Sequence, residues 1–475
     1  MNLRLIADLA VARLGLPMPM AKLATIQAIA LALEGDMAIT FAEALADWIA
    51  TRELESECLE ALCPLLAAVP RQEATALIRR AIKRPSIASD GLLSLVTGSP
   101  TLVAAWTGCH SNPATRFVVL DEEESLLRAG TFIPPLFTHQ LEKLERQSSR
   151  PFIRQWAFEY RVLAARYGIH SDGHLDYFLG SDRENVGQFV ARRSHLARSA
   201  FLRTLACAVE HWHMPLGVAS GFAETAYPAE PIFLRIRPQN APEWARGVQR
   251  RASIEAADAP TFAKTVIDSI ETELNGRIMH CSLAVVDEPR CHVEFEVFAI
   301  AGASATLDEA QVLRFYDHLL GKITPTRDSL RAFVSPDFDS EVREALGFVP
   351  LLLPLVGYSI GYLQADIVGR VPYVPTASIG LPHLELVPMP DGAVFRSEGC
   401  DVGSWAWWRW NWKPTHQRDQ PAPTACCSSL THRAARRLIE HFGGRIEHVW
   451  RISTWTRETD YGEWTETKET GRHVT

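Results

Sequence analysis

The stretch Ser404-Trp-Ala-Trp-Trp-Arg-Trp-Asn-Trp-Lys-Pro414 decides how the C-terminal part of the chain folds. It contains five of the chain's 13 tryptophans, and three more follow before Thr475. From Trp408 onward a tryptophan occupies every second position, which is the period of a β-strand. Trp405 and Trp407 lie on the opposite parity. The strand therefore either bulges near Trp407 or buries both of its faces.

The neighbouring segments complete this predicted domain. We predict that Trp405–Trp412 forms a strand in one sheet with Arg445–Trp455 and Tyr461–Glu469. A helix predicted at Leu430–Phe442 carries an apolar stripe at a spacing of three and four residues, so it should pack across that sheet. The larger tryptophan set, which begins at Trp408, is expected to fill the core.

The smaller set, Trp405 and Trp407, is expected to be exposed. Tryptophan is enriched among the residues that dominate the binding energy of protein interfaces. These two residues, together with Arg409, are therefore candidate binding residues. The alternative is that the whole stretch is the core strand of an aromatic-rich β-domain.

Length and composition describe an ordinary globular protein. The chain has 475 residues, enough for two or three domains, with 47% hydrophobic and 22% charged residues. The formal charge of −8 argues against a nucleic-acid partner. No apolar run is long enough to span a membrane, and the first residues are amphipathic rather than signal-like. The nine cysteines are odd in number and irregularly spaced, which fits reduced thiols and a cytoplasmic location.

Residues 1–98 have the pattern of six short helices in three pairs. Apolar residues recur at a spacing of three and four, and each pair takes about 35 residues, which is typical of a helical-hairpin solenoid. An ordinary helical bundle is the alternative. The alanine-rich helices, with proline near their turns, resemble HEAT-type repeats, and this resemblance implies a helical face offered to a protein partner. The predicted helices are Leu3–Leu14, Met20–Glu34, Ile39–Thr51, Glu53–Val69, Gln72–Lys83 and Ser86–Val96.

Two further domains are predicted after the repeats. Residues 99–245 are mainly helical in pattern, and residues 246–475 read as an α+β domain with a tryptophan-rich, mostly antiparallel sheet. The predicted fold is thus a helical-repeat N-terminus followed by an α+β region. Further predicted elements are helices at Pro151–Tyr167, His195–Trp212, Pro260–Leu274 and Leu307–Leu320, and strands at Ile232–Ile236, Arg277–Val286, His292–Ala301 and Val349–Val356.

One motif is compatible with serine hydrolysis. Gly357-Tyr-Ser-Ile-Gly361 follows a predicted buried strand, which is the context that a nucleophile elbow requires. The motif resembles the elbow of α/β-hydrolases, and this resemblance implies Ser359 as the nucleophile. However, no convincing helix follows Gly361, and the preceding strands look like a hairpin rather than βαβ units. A serine hydrolase is therefore the alternative function.

A second motif is compatible with a metal site. The run His170-Ser-Asp-Gly-His-Leu-Asp176 places two imidazoles and two carboxylates in alternation. A strand would bring these four side chains to one face, whereas Gly168 and Gly173 favour a solvated loop. A metal-dependent enzyme is the third function considered. Its candidate ligands are His170, Asp172, His174 and Asp176. The chain contains no nucleotide-binding loop, and no cofactor is predicted.

The C-terminal sequence suggests a biological setting. The chain resembles the ends of some large bacterial antiviral proteins over three segments, Gly403–Trp408, Cys426–Gly444 and Arg445–Glu458. Those proteins join a signalling NTPase to HEAT-like repeats and a C-terminal sensing region. The resemblance implies the repeat-plus-sensor part of a phage-defence system. The leading hypothesis is therefore a non-catalytic cytoplasmic scaffold. Its partner would be another protein: a separate NTPase or effector, or a phage protein.

Overall fold

The computed structural model describes most of the chain. The described residues are 2–16, 19–68, 72–98, 135–167, 192–229, 231–236, 241–252, 258–301, 308–321, 349–354, 373–375, 381, 384–389, 392–409, 424–442 and 444–474. Helices occupy the first half and an antiparallel sheet occupies the C-terminal part, so the predicted order of α followed by α+β is confirmed. Two compact units divide the chain: a helical unit up to Arg235 and a sheet unit in the described residues from Ile236 on. The bounds of the three predicted domains stay predictions.

The helical unit contains eleven of the described α-helices. Their bounds are α1 Leu3–Ala12, α2 Pro19–Glu34, α3 Ala38–Ala50, α4 Glu55–Ala67, α5 Gln72–Ala81, α6 Ile87–Thr97, α7 Pro135–Ser148, α8 Phe152–Arg166, α9 Arg192–Trp212, α10 Leu216–Ala223 and α11 Pro231–Arg235. The first six agree with the predicted helices to within a few residues. Ile232–Ile236, predicted as a strand, lies largely in α11, so that prediction is wrong.

Helices α1 to α6 form two rows. Helices α1, α3 and α5 lie side by side in one row, and α2, α4 and α6 lie side by side in the other. The ends are set by local chemistry: Asn2 caps α1, accepting from the backbone N–H of Arg4, and Ser86 and Ser89 form a reciprocal capping box at the start of α6. Gly98 follows α6 in the left-handed conformation that favours glycine.

A second layer of helices covers the row that contains α4. Helices α9 and α11 both pack against α4. As a result every residue of α4 from Glu55 to Leu66 is buried, although its first turns are rich in glutamate. The apolar core of this unit runs without a break from Ala7 in α1 to Leu234 in α11.

The sheet unit contains four further helices and eleven strands. The helices are α12 Glu243–Ala252, α13 Ala259–Leu274, α14 Glu309–Gly321 and α15 His432–Phe442. The strands are β1 Gly276–Glu288, β2 Cys291–Ala301, β3 Val349–Pro350, β4 Leu352–Pro354, β5 Tyr373–Pro375, β6 Glu385–Met389, β7 Gly392–Ser397, β8 Cys400–Arg409, β9 Thr424–Thr431, β10 Ile446–Thr456 and β11 Thr465–Val474.

The main sheet mixes strands from distant parts of the sequence. Its order is β11-β10-β2-β1-β9-β8-β7-β6, with β3 paired to the end of β2, and the pairs are antiparallel. The predicted hairpin of β1 and β2 is confirmed, with its turn at Pro289 and Arg290. The tryptophan strand β8 belongs to the same sheet as β10 and β11. It pairs, however, with β7 and β9, and three strands separate it from β10.

The two faces of the sheet differ in chemistry. One face is apolar and packs against α12 and α13; its core includes Phe295, Val297 and Trp408. The opposite face carries alternate residues of the same strands, which include His280 and Glu296. This alternation is the ordinary two-residue period of strands, but both sets of side chains are buried.

Two predicted segments of the sheet unit differ from the structure. Val349–Val356 was expected to be one strand, whereas β3 and β4 belong to different sheets and are separated at Leu351. Proline cannot donate a ladder hydrogen bond, and Pro350 and Pro354 each end one of these short strands. The predicted helix at Leu430–Phe442 begins at His432, because Leu430 still belongs to β9 and pairs with Gly403 of β8.

Helix α15 otherwise packs as its stripe predicts. Ala434 and Leu438 are buried, and Arg433, Arg436 and Arg437 are exposed. The helix lies against β8, β9 and β1. None of the helices in the described ranges is both long enough and apolar enough to cross a lipid bilayer.

Candidate functional site

The two catalytic alternatives lie outside the described residues. Ser359 and its flanking glycines are in the undescribed range 355–372. The candidate metal ligands His170, Asp172, His174 and Asp176 are in the undescribed range 168–191. Both sites therefore stay predictions. Within the described part of the chain, no group of three or more histidine, cysteine, aspartate or glutamate side chains is arranged to hold a metal ion.

The expected exposure of Trp405 and Trp407 is wrong. Their exposed fractions are 1% and 2%, as small as the 1% of Trp408 on the opposite face to within one percentage point. The pairing of β8 with β9 continues without a shift from Gly403 to Arg409, so the strand does not bulge at Trp407 and instead buries both faces. The rings of Trp405 and Trp407 stack with centroids 5.7 Å apart. A binding role for these two residues and Arg409 stays a prediction.

The face of the sheet that carries Trp405 and Trp407 also holds a polar row. Strand pairing aligns Trp407, Cys426, Ser282, Glu296 and Arg451 in successive strands from β8 to β10. Arg451 donates to the carboxylate of Glu296. Sequence reasoning missed this row because pairing between strands far apart in the chain creates it.

His280 connects the members of this row. Its Nε2 lies 3.7 Å from Oε1 of Glu296, and its Nδ1 lies 3.9 Å from Sγ of Cys426. Thiol, imidazole and carboxylate in this order are the parts of a cysteine nucleophile. The exposed fraction of Cys426 is 0% and that of His280 is 2%, however, and a nucleophile must reach its substrate. We therefore assign the row to the interior of the sheet unit.

The helical unit contains a second buried polar cluster around α4. Lys22 of α2 donates to the carboxylate of Glu60, and the exposed fractions of these two residues are 2% and 1%. His195 of α9 shares a hydrogen bond of 3.0 Å, through Nδ1, with the hydroxyl of Ser56. Burial, followed by the nearby charge of Lys22, lowers the pKa of His195 well below its ordinary value. The imidazole is therefore neutral near pH 7, and its 3.6 Å approach to Glu60 is a polar contact.

Two arginines of α9 complete the cluster. Arg203 donates to Glu55 at 2.9 Å, and Arg192 donates to Glu57 at 3.0 Å. Burial raises the pKa of Glu55, although the charge of Arg203 opposes that change. Because each buried carboxylate meets a cation on a facing helix, the cluster fixes how α9 and α2 lie on α4. Its centre is buried, although Arg192 at its margin is exposed, and its chemistry is structural.

The most exposed leucines in the described part of the helical unit lie at the start of the two rows. On α1, Leu5 and Leu9 have exposed fractions of 56% and 62%, and Leu16 just beyond the helix has 41%. Ala12 is also exposed, so Leu5, Leu9 and Ala12 form a stripe with a spacing of four and three residues, and Leu16 extends it beyond the short 3-10 turn Arg13–Gly15. The opposite side of α1 faces α3, where Arg4 is bonded to Asp47 at 2.6 Å. The leucine stripe therefore points away from the rest of the row.

Helix α2 has a matching stripe. Ala24, Ala28 and Leu31 are exposed at a spacing of four and three residues, with Leu31 at 59%. Leu31 follows Lys22 by nine residues, which is about two and a half helical turns, so the two side chains point in opposite directions. Since Lys22 faces α4, Leu31 lies on the opposite side of the helix. We call the outward surface formed by the α1 and α2 stripes the end face.

Sequence reasoning found the helices of the end face but not its exposure. Periodicity places apolar residues on a helix, and in α1 such residues occur on two sides: Ala7, Val11 and Leu14 on the buried side and Leu5 and Leu9 on the other. A helix that is apolar on two sides signals a second packing partner. That signal was present in the sequence. No family model matches this sequence, and no curated protein matches it either.

Proposed function

We propose that this protein is a non-catalytic scaffold that binds another protein through its helical repeat unit. The observation that carries the proposal is the end face, where Leu5, Leu9 and Leu31 are each more than half exposed. Contiguous apolar patches on soluble proteins mark interaction sites. A repeat stack normally ends in a capping repeat with a polar outer surface. The end face presents leucine side chains instead, so it lacks the polar outer surface of a capping repeat.

The arrangement of the helices supports the solenoid interpretation. Each row places alternate helices side by side, as helical-hairpin repeats do when they stack. The side of the α4 row that faces α9 is already covered, whereas the end face carries the most exposed leucines among the described residues of this unit. In the described residues, the central groups of both polar clusters are buried, Cys426 and His280 in one and Lys22 and Glu60 in the other, which favours a binding role over catalysis.

The biological setting rests on the C-terminal resemblance to antiviral proteins. In that setting the chain is the repeat-plus-sensor part of a cytoplasmic phage-defence system and works with a separate NTPase or effector, or recognises a phage protein. The helical unit supplies the docking surface for such a partner. The sheet unit, with its tryptophan strand, supplies the sensing part.

The test is affinity capture from the native host with the tagged full chain, followed by cross-linking and mass spectrometry. We expect one partner whose cross-links fall on α1 and α2, and its capture should be lost in Leu9→Glu. The matched control is Leu95→Glu, since Leu95 lies on α6 and is 50% exposed. Capture that is equal in wild type and Leu9→Glu would contradict the proposed site. Turnover of esters, nucleotides or nucleic acid by the purified chain would contradict the non-catalytic role.

A further inference from the structure

The two stripes of the end face differ in the size of their side chains. The α1 stripe is bulky, with Leu5, Leu9 and Leu16, and its smallest member is Ala12. The α2 stripe is small over its first two members, Ala24 and Ala28. Bulky residues on one helix form a ridge, and small residues on the other leave a groove. One end face therefore contains both halves of a ridge-in-groove contact.

We propose that the end face pairs with the end face of a second copy of this chain about a two-fold axis. In a two-fold interface, if one surface region of the first copy contacts another region of the second, the reverse contact is made as well. The leucine ridge of α1 then packs into the alanine groove of the partner's α2, twice. No charged residue belongs to either stripe, so the pairing brings no like charges into the centre.

The size of the end face sets the strength of this dimer. Helices of 10 and 16 residues are about 15 and 24 Å long and about 10 Å wide. Together they offer about 400 Å² per copy, against about 800 Å² per partner in a standard stable interface. The dimer is therefore reversible and concentration-dependent. It rests on the proposed function in that it names the partner of the same surface.

The experiment is sedimentation velocity on the full chain across the micromolar range. We expect the weight-average mass to rise from that of the 52.9 kDa monomer toward twice that value as concentration increases. Leu9→Glu should hold the protein at the monomer mass throughout. Ala28→Leu should also weaken the dimer several-fold, because it fills the groove. Circular dichroism of both variants should match wild type, since both positions are exposed.

The outcomes separate this inference from the proposed function. A wild-type chain that stays monomeric at every concentration overturns the second copy as partner, while loss of a captured host protein in Leu9→Glu still supports the binding site. A dimer that persists in Leu9→Glu overturns the end face as the contact. If Leu95→Glu weakens the dimer as much as Leu9→Glu does, the α6 end of the rows takes part in the contact as well. The two copies are then joined head to tail, and the two-fold pairing is wrong.

Discussion

The helical unit and the sheet unit both bury polar side chains, but they differ in the apolar residues that they expose. Glu60 is buried in the helical unit and Glu296 in the sheet unit. The helical unit exposes Leu5 and Leu9, whereas the sheet unit buries its described β8 tryptophans. The outer strand β11 of the sheet is exposed from Thr465 to Thr470 and carries charged side chains. Charges on an edge strand block pairing with another chain. The charged β11 edge of the sheet unit therefore disfavours association with another chain, whereas the apolar end face of the helical unit favours it.

The largest expected effect tests whether the sheet unit buries its tryptophans equally. Trp407→Ala and Trp408→Ala should each cost about 3–5 kcal/mol of unfolding free energy, because each leaves a large cavity in a packed interior. The measurement is urea unfolding followed by circular dichroism. If Trp407→Ala spares stability while Trp408→Ala does not, the face that carries Trp407 is open in solution and the comparison between the units fails.

The next effect tests the buried charges of the helical unit. Lys22→Met should cost about 3–4 kcal/mol, because it leaves the carboxylate of Glu60 buried without its cation. The double variant Lys22→Met with Glu60→Leu should recover most of that loss, since an apolar pair of similar volume needs no partner. Equal stability of the single and double variants would mean that Glu60 is not charged in the folded protein.

A pH effect should arise in the sheet unit at His448. This histidine is fully buried on β10, and its Nε2 lies 3.0 Å from the carbonyl oxygen of Ile278. Burial is the main cause that lowers its pKa to about 4. The unfolded chain binds a proton near pH 6.5 and the folded chain does not, so stability falls as pH drops from about 6.5 to about 4. The full loss is about 3 kcal/mol.

The variant His448→Gln provides the check on that window. Its amide can still donate to Ile278, but it does not titrate, so the fall in stability between about pH 6.5 and 4 should be smaller by about 3 kcal/mol than in wild type. Urea unfolding at several pH values measures the difference. An unchanged pH profile in the variant would place the titrating group elsewhere, and His195, whose pKa is also lowered, would be the next residue to replace.

The smallest effect concerns the exposed charges of the helical unit. Arg4 bonds to Asp8 at 2.8 Å and to Asp47 at 2.6 Å, but the side chains of all three are at least one-third exposed to solvent. Arg4→Ala should therefore cost less than about 1 kcal/mol, and less still in high salt. A loss as large as that of Lys22→Met would show that surface and interior charges contribute alike to the stability of the helical unit.

Much of this fold could be read from the sequence, because helices and strands follow periodicity. The six N-terminal helices and the β1–β2 hairpin were predicted close to their observed positions. Periodicity states which residues share a face, but it does not state whether that face is covered. Trp407 was expected to be exposed for this reason. The glutamates of α4 look like a solvated helix start, and the cations that allow their burial come from two other helices, α9 and α2.

The order of strands in the sheet has a consequence for synthesis on the ribosome. β1 and β2 lie between β9 and β10, which are made more than 120 residues later. The described helices of the helical unit, α1 to α11, precede β1 in the sequence and are therefore made first. The β1–β2 hairpin must wait with both outer edges unpaired until the C-terminal strands arrive. During that interval the unpaired edges of the hairpin expose the nascent chain to edge-to-edge aggregation. A chain whose synthesis stopped at residue 423 would lack β9 and β10, so the edges of its β1–β2 hairpin would stay unpaired.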